Sequence, residues 1–267
     1  MRDFDHIRFE RDGRVLVMTL NRPAKRNAVN GAMHAELEQA FRELDSDEES
    51  NVVVLTGAGH SFCAGGDISG WVSASGTNLR RRPNEVHDGG RRLVDAVLWV
   101  EKPIIAMVRG AAIGLGATLA LLCDVVYVAD DAQIGDRHVN FAAVAGDGGA
   151  AVWPLLVGLN RAKELLMTGR AVRGDEAARI GLVNRAVPTD ELDEVTMALA
   201  QELAALEPFA VRATKASVNR HLRRAVEDVL DISIAWERLS LTNELHRAAA
   251  REFIDRRADA SDADPGA

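Results

Sequence analysis

The chain has little cysteine: two residues in 267, Cys63 and Cys123. Two cysteines make no disulfide framework, and both read as small buried hydrophobes kept reduced in a cytosol. Long apolar runs are also missing. No stretch reaches the roughly 20 uninterrupted apolar residues that a membrane-spanning helix needs. The N-terminal "MRDFDHIRFERDG" has no apolar segment of a secretory leader. Positive charge is in the minority, with 32 Lys and Arg against 40 Asp and Glu and a net charge of -8. An acidic chain is a poor partner for nucleic acid or for anionic membrane. The expectation is a cytoplasmic protein that binds neither.

What is present is enough apolar material for one large core. Hydrophobic residues make up 47% of the chain, and a chain of this length buries about three quarters of its unfolded surface. "HIRFERDGRVLVMTL" alternates around Asp12-Gly13 and predicts a hairpin. Met33, Leu37, Ala40, Phe41 and Leu44 mark an amphipathic helix. "NVVVLTG" and "IIAMV" are short buried strands. "GHSFCAGGD" is a glycine-rich turn leading to a helix near Ile68. Residues 72–90 lack an apolar period and read as a mobile loop. A helix through Leu93, Val97 and Val100 is broken by Pro103. A further helix runs to about Cys123, followed by the strand "DVVYVA".

"VAGDGGAAVWPLLVG" is a third glycine turn entering a helix, and "RAKELLMTG", "GDEAARIGL" and the strand "VNRAV" follow. Strand, glycine turn and helix alternate through the first two thirds, which implies an α/β core. Beyond Pro188 the pattern is helical. Leu192, Val195, Leu199 and Leu206 line one helix. The last long helix carries two stripes: Val226, Leu230, Ile234, Leu241 and Leu245, and on a nearly opposite face Val229, Ile232, Trp236 and Leu239. Burial on two sides needs either a second subunit or a wholly internal helix. The tail "ADASDADPGA" is small, polar and expected to be disordered.

A turn between strand and helix leaves backbone N–H groups without partners, at the positive end of the helix dipole. Such groups can hold a phosphate, or a carbonyl oxygen that becomes negative during reaction. "CAGGD" (63–67) and "IGLG" (113–116) are two such turns. Two donors meeting at one point would form an oxyanion hole. Close helix–strand packing is the other use of such glycines. "VVVLTGAGHSF" imitates a dinucleotide-binding start, but Phe62 stands at the third glycine position. No acidic residue lies about 20 positions on, the first beyond being Glu85. A nicotinamide or flavin enzyme is therefore not expected.

"LNRPAKRNAVN", "SFCAGGDI", "EKPIIAMVRGAAIGLGATLALLCDVVYVADDAQIG" and "GDGGAAVWPLLVGLNRAKELLMTGRAVRGDEAARIGLVNRAVP" together resemble the enoyl-CoA hydratase/isomerase (crotonase) family, in order and register from about residue 8 to 220. The resemblance implies an α/β fold built as a spiral of ββα units over residues 1–200, with the thioester site. It implies a helical C-terminal trimerisation region over 201–257, leaving 258–267 as the tail. It implies a homo-oligomer, a trimer or hexamer, and a CoA thioester as substrate with no other cofactor and no metal. By motif position the thioester oxygen would lie between the N–H groups of Gly66 and Leu115. The CoA body would pass Lys25, Arg26, Ala28, Ala64, Asp67 and Ile68, with Phe253 near the adenine. Lys25 and Arg26 also fit solvated loop charges.

The family's hydratases hold their water between two glutamates. Here those positions are Thr118 and His138. A threonine hydroxyl has no useful basicity; it can position water or substrate, or bond a carbonyl one turn back. His138 can exchange a proton near neutral pH or serve structure alone. Asp147, in the third glycine turn, is the remaining acid, suited to proton transfer in an apolar pocket or to capping the helix from Gly148. Asp136 and Asp67 read as turn and cap residues. Trp71 and Trp153 fit either the acyl pocket or the core. The leading expectation is an enolate-stabilising acyl-CoA enzyme with Asp147, helped by His138, as proton carrier. An acyl-CoA-binding protein with little catalysis is the alternative.

Overall fold

The computed structural model of the chain describes residues 1–68 and 88–263. Strands β1 (Ile7–Asp12) and β2 (Val15–Leu20) form the expected hairpin, with Asp12 opposite Val15 and Gly13 turning at φ 57°. Helix α1 (Gly31–Glu43) starts where Asn30 accepts the Met33 amide at 2.9 Å, and it buries Met33, Leu37, Ala40 and Phe41. Strand β3 (Val52–Gly57) is buried along its whole length, as suits a central parallel strand covered on both faces.

Helix α2 (Asp88–Trp99) precedes β4 (Ile104–Val108) and the short β5 (Ala111–Ile113). Next come α3 (Leu115–Leu121), β6 (Val125–Ala129) and β7 (Gln133–Gly135). A 3-10 turn (His138–Phe141) leads to α4 (Gly149–Val157), α5 (Leu159–Thr168), β8 (Val172–Arg173), α6 (Gly174–Arg179) and β9 (Arg185–Val187). The chain closes with α7 (Leu192–Ala205), α8 (Pro208–Leu241) and α9 (Glu244–Ala263).

Two sheets organise these elements. The larger runs β1-β2-β3-β4-β6-β9 and is parallel except for the hairpin; the smaller runs β5-β7-β8. Strand β4 feeds the large sheet, β5 the small one, and α3 follows; β6, β7 and α4 repeat the pattern. This is the ββα spiral. The small-sheet strands escape sequence reading because two or three residues are too few to carry a period.

Several expectations need correction. The first stripe does not run on to Leu245 in one helix: α8 ends at Leu241, where the Thr242 hydroxyl donates to Leu239 O at 2.7 Å. Asn243 Oδ1 then accepts the Leu245 amide at 3.0 Å, so a new helix begins. Leu206 lies past the end of α7 and is exposed; the buried face of α7 is Leu192, Thr196, Ala200 and Ala204. The boundary expected at 200 falls inside α7, which packs on the large sheet. Residues 88–90 of the expected loop are helical in α2, and α9 continues to Ala263 into the expected tail. The helix near Ile68, the rest of the 72–90 loop and Trp71 lie outside the described residues. Trp153 is buried in the core. Both cysteines are buried and free, with burial pushing their thiols up.

Candidate active site

The first two glycine turns are stitched side by side. Cys63 N–H donates to Ala111 O at 2.8 Å and Ile113 N–H donates to Cys63 O at 3.0 Å. Gly116 is glycine because the turns touch there: a β-carbon would stand 2.3 Å from Cys63 O. Asn27, fully buried at φ 55°, braces the approach to the first turn. Its side chain accepts from the Arg22 amide at 2.8 Å and donates to Ala58 O at 2.9 Å and Ser61 O at 2.7 Å. Sequence reading missed this residue, although an asparagine in a turn that needs positive φ is a usable signal.

Gly66 and Leu115 are half-buried, and among the described residues neither backbone N–H donates to another protein group. The neighbouring amides are used: Asp67 N–H reaches Val29 O at 2.9 Å and Gly114 N–H reaches Gly135 O at 2.8 Å. The two unpaired donors thus come from adjoining turns.

The third segment brings the acid–base groups to the same place. The ring of His138 lies against Gly114, with Cε1 3.5 Å from where a β-carbon would be. Its Nδ1 is 2.7 Å from Asp136 Oδ1, which also accepts the His138 amide at 3.1 Å. Asp136 is therefore both the turn residue expected and the partner that orients the imidazole. Nε2 lies 3.7 Å from Asp147 Oδ2 and 3.7 Å from Glu237 Oε1. Thr118 Oγ1 donates to Asp147 Oδ1 at 3.1 Å, which settles the threonine's partner as a carboxylate. Asp147 precedes Gly148, which begins α4 without a side-chain cap.

Charge follows from this crowding. Burial disfavours a cationic His138, but Asp147, Asp136 and Glu237 outweigh it and push it up to about 10. Burial raises Asp147, against His138 and the Thr118 hydroxyl, which favour its ionised form. Burial and then the Asp147 charge push Glu237 up to about 8. Asp136, His138 and Asp147 present ligand atoms within 4.8 Å of one another.

A sequence model described as enoyl-CoA hydratase/isomerase matches residues 10–259. The chain belongs to the enoyl-CoA hydratase/isomerase family. It is 32% identical to the short-chain-enoyl-CoA hydratase of Clostridium acetobutylicum over 96% of this chain and 97% of that protein. It is 31% identical to the peroxisomal Delta(3,5)-Delta(2,4)-dienoyl-CoA isomerase of Arabidopsis thaliana over 94% of each. The crystal structure of an enoyl-CoA hydratase/isomerase from Mycobacterium paratuberculosis superposes with a TM-score of 0.87 at 34% identity, covering 94% of this chain and all of that one. The crotonase fold and an acyl-CoA enzyme are thus established together.

Around this crotonase site, Lys25 and Arg26 are exposed, on and just after a 3-10 turn (Pro23–Lys25) beside the first glycine turn. Ala28 O is taken by the Arg22 guanidinium, and the Ala64 amide donates to Arg26 O at 3.0 Å. Asp67 pairs with Arg22 at 3.1 Å, so its carboxylate helps to hold the turn. Ile68 is half-buried at the edge of the described segment. Phe253 stacks edge-on against Phe141 at 5.2 Å, tying α9 to the turn after His138. Glu237 is the group that sequence reading passed over.

Proposed function

We propose that this crotonase acts on an enoyl-CoA, holding the thioester oxygen between the Gly66 and Leu115 amides while Asp147 moves the proton. The unpaired amides on adjoining turns, with a buried acid–imidazole cluster against one of them, carry this reading. As charge develops on the oxygen, two fixed donors hold it; one such donor is typically worth about 3 kcal/mol of barrier. Asp147, as carboxylate, takes a proton from C2 or from a water that adds at C3. The electron pair runs to the thioester oxygen, and collapse of that enolate returns a proton to carbon. Thr118 fixes the carboxylate, and the His138 cation steadies its charge. Protein groups and the substrate's own CoA are sufficient for these steps.

Lys25 and Arg26 face the CoA phosphates; Ala28, Ala64, Asp67, Ile68 and Phe253 border the rest of the CoA. The protein works in the cytoplasm as a trimer or hexamer, a state supported by the exposed apolar stripe of α8. The other reading, an acyl-CoA-binding protein, leaves the buried proton-transfer cluster without a purpose.

A panel of CoA thioesters in labelled water, followed by mass spectrometry, tests the proposal. Oxygen incorporation reports hydration, and deuterium alone reports enolisation or a double-bond shift. D147N and H138A are expected to lower turnover by about 10²-fold or more. Full turnover by both variants on every processed thioester would overturn the assignment.

A further inference from the structure

Glu237 reaches the cluster from a different part of the chain. It projects from α8, whereas Asp136, His138 and Asp147 come from the segment between β7 and α4. Helix α8 is docked on that segment with some care. Ser233 Oγ donates to Gly146 O at 3.0 Å, and Ser240 Oγ accepts the Val144 amide at 3.1 Å. Ser233, Glu237 and Ser240 are four and three residues apart, so they share one helix face. Gly146 lets that face approach: a β-carbon there would stand 2.4 Å from Glu237 Cβ and 2.6 Å from Ser233 O.

The approach delivers a carboxylate to the side of His138 that Asp147 also faces. Both acids lie 3.7 Å from the same Nε2. Separations beyond hydrogen-bonding distance are common in unliganded sites and close when substrate fills them. Asp147 has the Thr118 hydroxyl to steady its charge. Among the described residues, the side-chain partner within ion-pair distance of Glu237 is His138. The charged groups around Glu237 are Asp147, His138 and Asp136 across the interface and Arg238 beside it on α8.

Resting on the assignment of Asp147 as proton carrier, we propose that Glu237 is its relay partner, trading one proton with Asp147 across Nε2 of His138. After Asp147 has taken a proton, the imidazolium gives its Nε2 proton to the Glu237 carboxylate and takes the proton from Asp147. Asp147 is again a base, Glu237 is the acid and His138 is unchanged. The reverse transfer supplies the proton for the return to carbon. Charge and proton count balance, and no further reactant is needed. Glu237 acts through His138, so it is a positioning and relay residue rather than one that touches the substrate.

E237Q keeps the shape and removes the proton store. Its kcat is expected to fall about tenfold or more with KM nearly unchanged, a modest share of what acid–base catalysis supplies. The part of the pH profile where the rate rises as Glu237 loses its proton and becomes the acceptor should disappear. E237D, which keeps an acid one carbon further away, should recover part of the rate. A kcat and pH profile within twofold of the native protein would overturn the relay. So would a rate loss tracked by equal losses of melting temperature and acyl-CoA affinity, because that is a structural role. If E237Q does not fold while E237D is fully active, the relay is likewise overturned. D147N separates the two readings: an inactive D147N beside a native-like E237Q removes the relay alone, whereas an active D147N removes the Asp147 assignment beneath it.

Discussion

Thr118 stands where the family's resemblance led to a glutamate, and its hydroxyl is turned to a carboxylate instead. That hydrogen bond favours ionised Asp147 against the burial that raises it. Removing it in T118V leaves Asp147 protonated to higher pH. With Asp147 as the proposed base, the acid limb of kcat should move up. At a pH on that limb the rate should drop about fivefold, as about 1 kcal/mol of lost hydrogen bonding dictates, and recover on the plateau. An acid limb that stays in place in T118V would show that Asp147 is not the base. The residues of this site were unequally legible. Gly66, Leu115, Thr118, His138 and Asp147 stand at motif positions, where local glycine spacing fixes the backbone. Glu237 does not. A charged residue four positions from Ser233 on an amphipathic helix reads as solvated, and only the docking of α8 on Gly146 turns it inward.

At the scale of elements, the two donor turns depend on short bridges and one asparagine more than on any helix. Asn27 ties Arg22, Ala58 and Ser61 through one buried side chain, and its own carbonyl accepts from the Cys63 thiol at 3.1 Å. N27A would strip partners from the buried Ser61 carbonyl, the half-buried Ala58 carbonyl and the Arg22 amide, and leave an alanine in the left-handed region. A cost of about 2 kcal/mol or more is expected, visible as a lower denaturation midpoint. The turn carrying Gly66 would loosen with it, so kcat should fall further than the fraction unfolded accounts for. A variant that melts early yet keeps native kcat in its folded fraction would mean that Asn27 serves stability alone. Long elements such as α1 and β3 were legible because burial imposes a period or an apolar run on them. Strands β5, β7 and β8 were not. Their pairing is set by the neighbouring sheet and turns rather than by their own two or three residues.

At the scale of the molecule, α8 has two jobs on two faces. Val226, Leu230 and Ile234 are buried and hold it to the chain that it belongs to. Ile232, Trp236 and Leu239, spaced four and three apart, are 54%, 54% and 61% exposed. Each large side chain of this kind gains about 1.5–3 kcal/mol when covered. A second copy of the chain is the occupant argued for under the proposed oligomer. The double variant I232E/L239E should therefore sediment as a monomer where the native protein sediments as a trimer or hexamer. It should keep native helix content, since the inner face is untouched. It should also lose part of its turnover, because Glu237 sits beside Trp236 and an uncovered α8 holds that carboxylate less firmly against His138. A native protein that is already monomeric at micromolar concentration, or a charged variant that still assembles, would remove this face from the interface and leave its exposure to be explained by another partner.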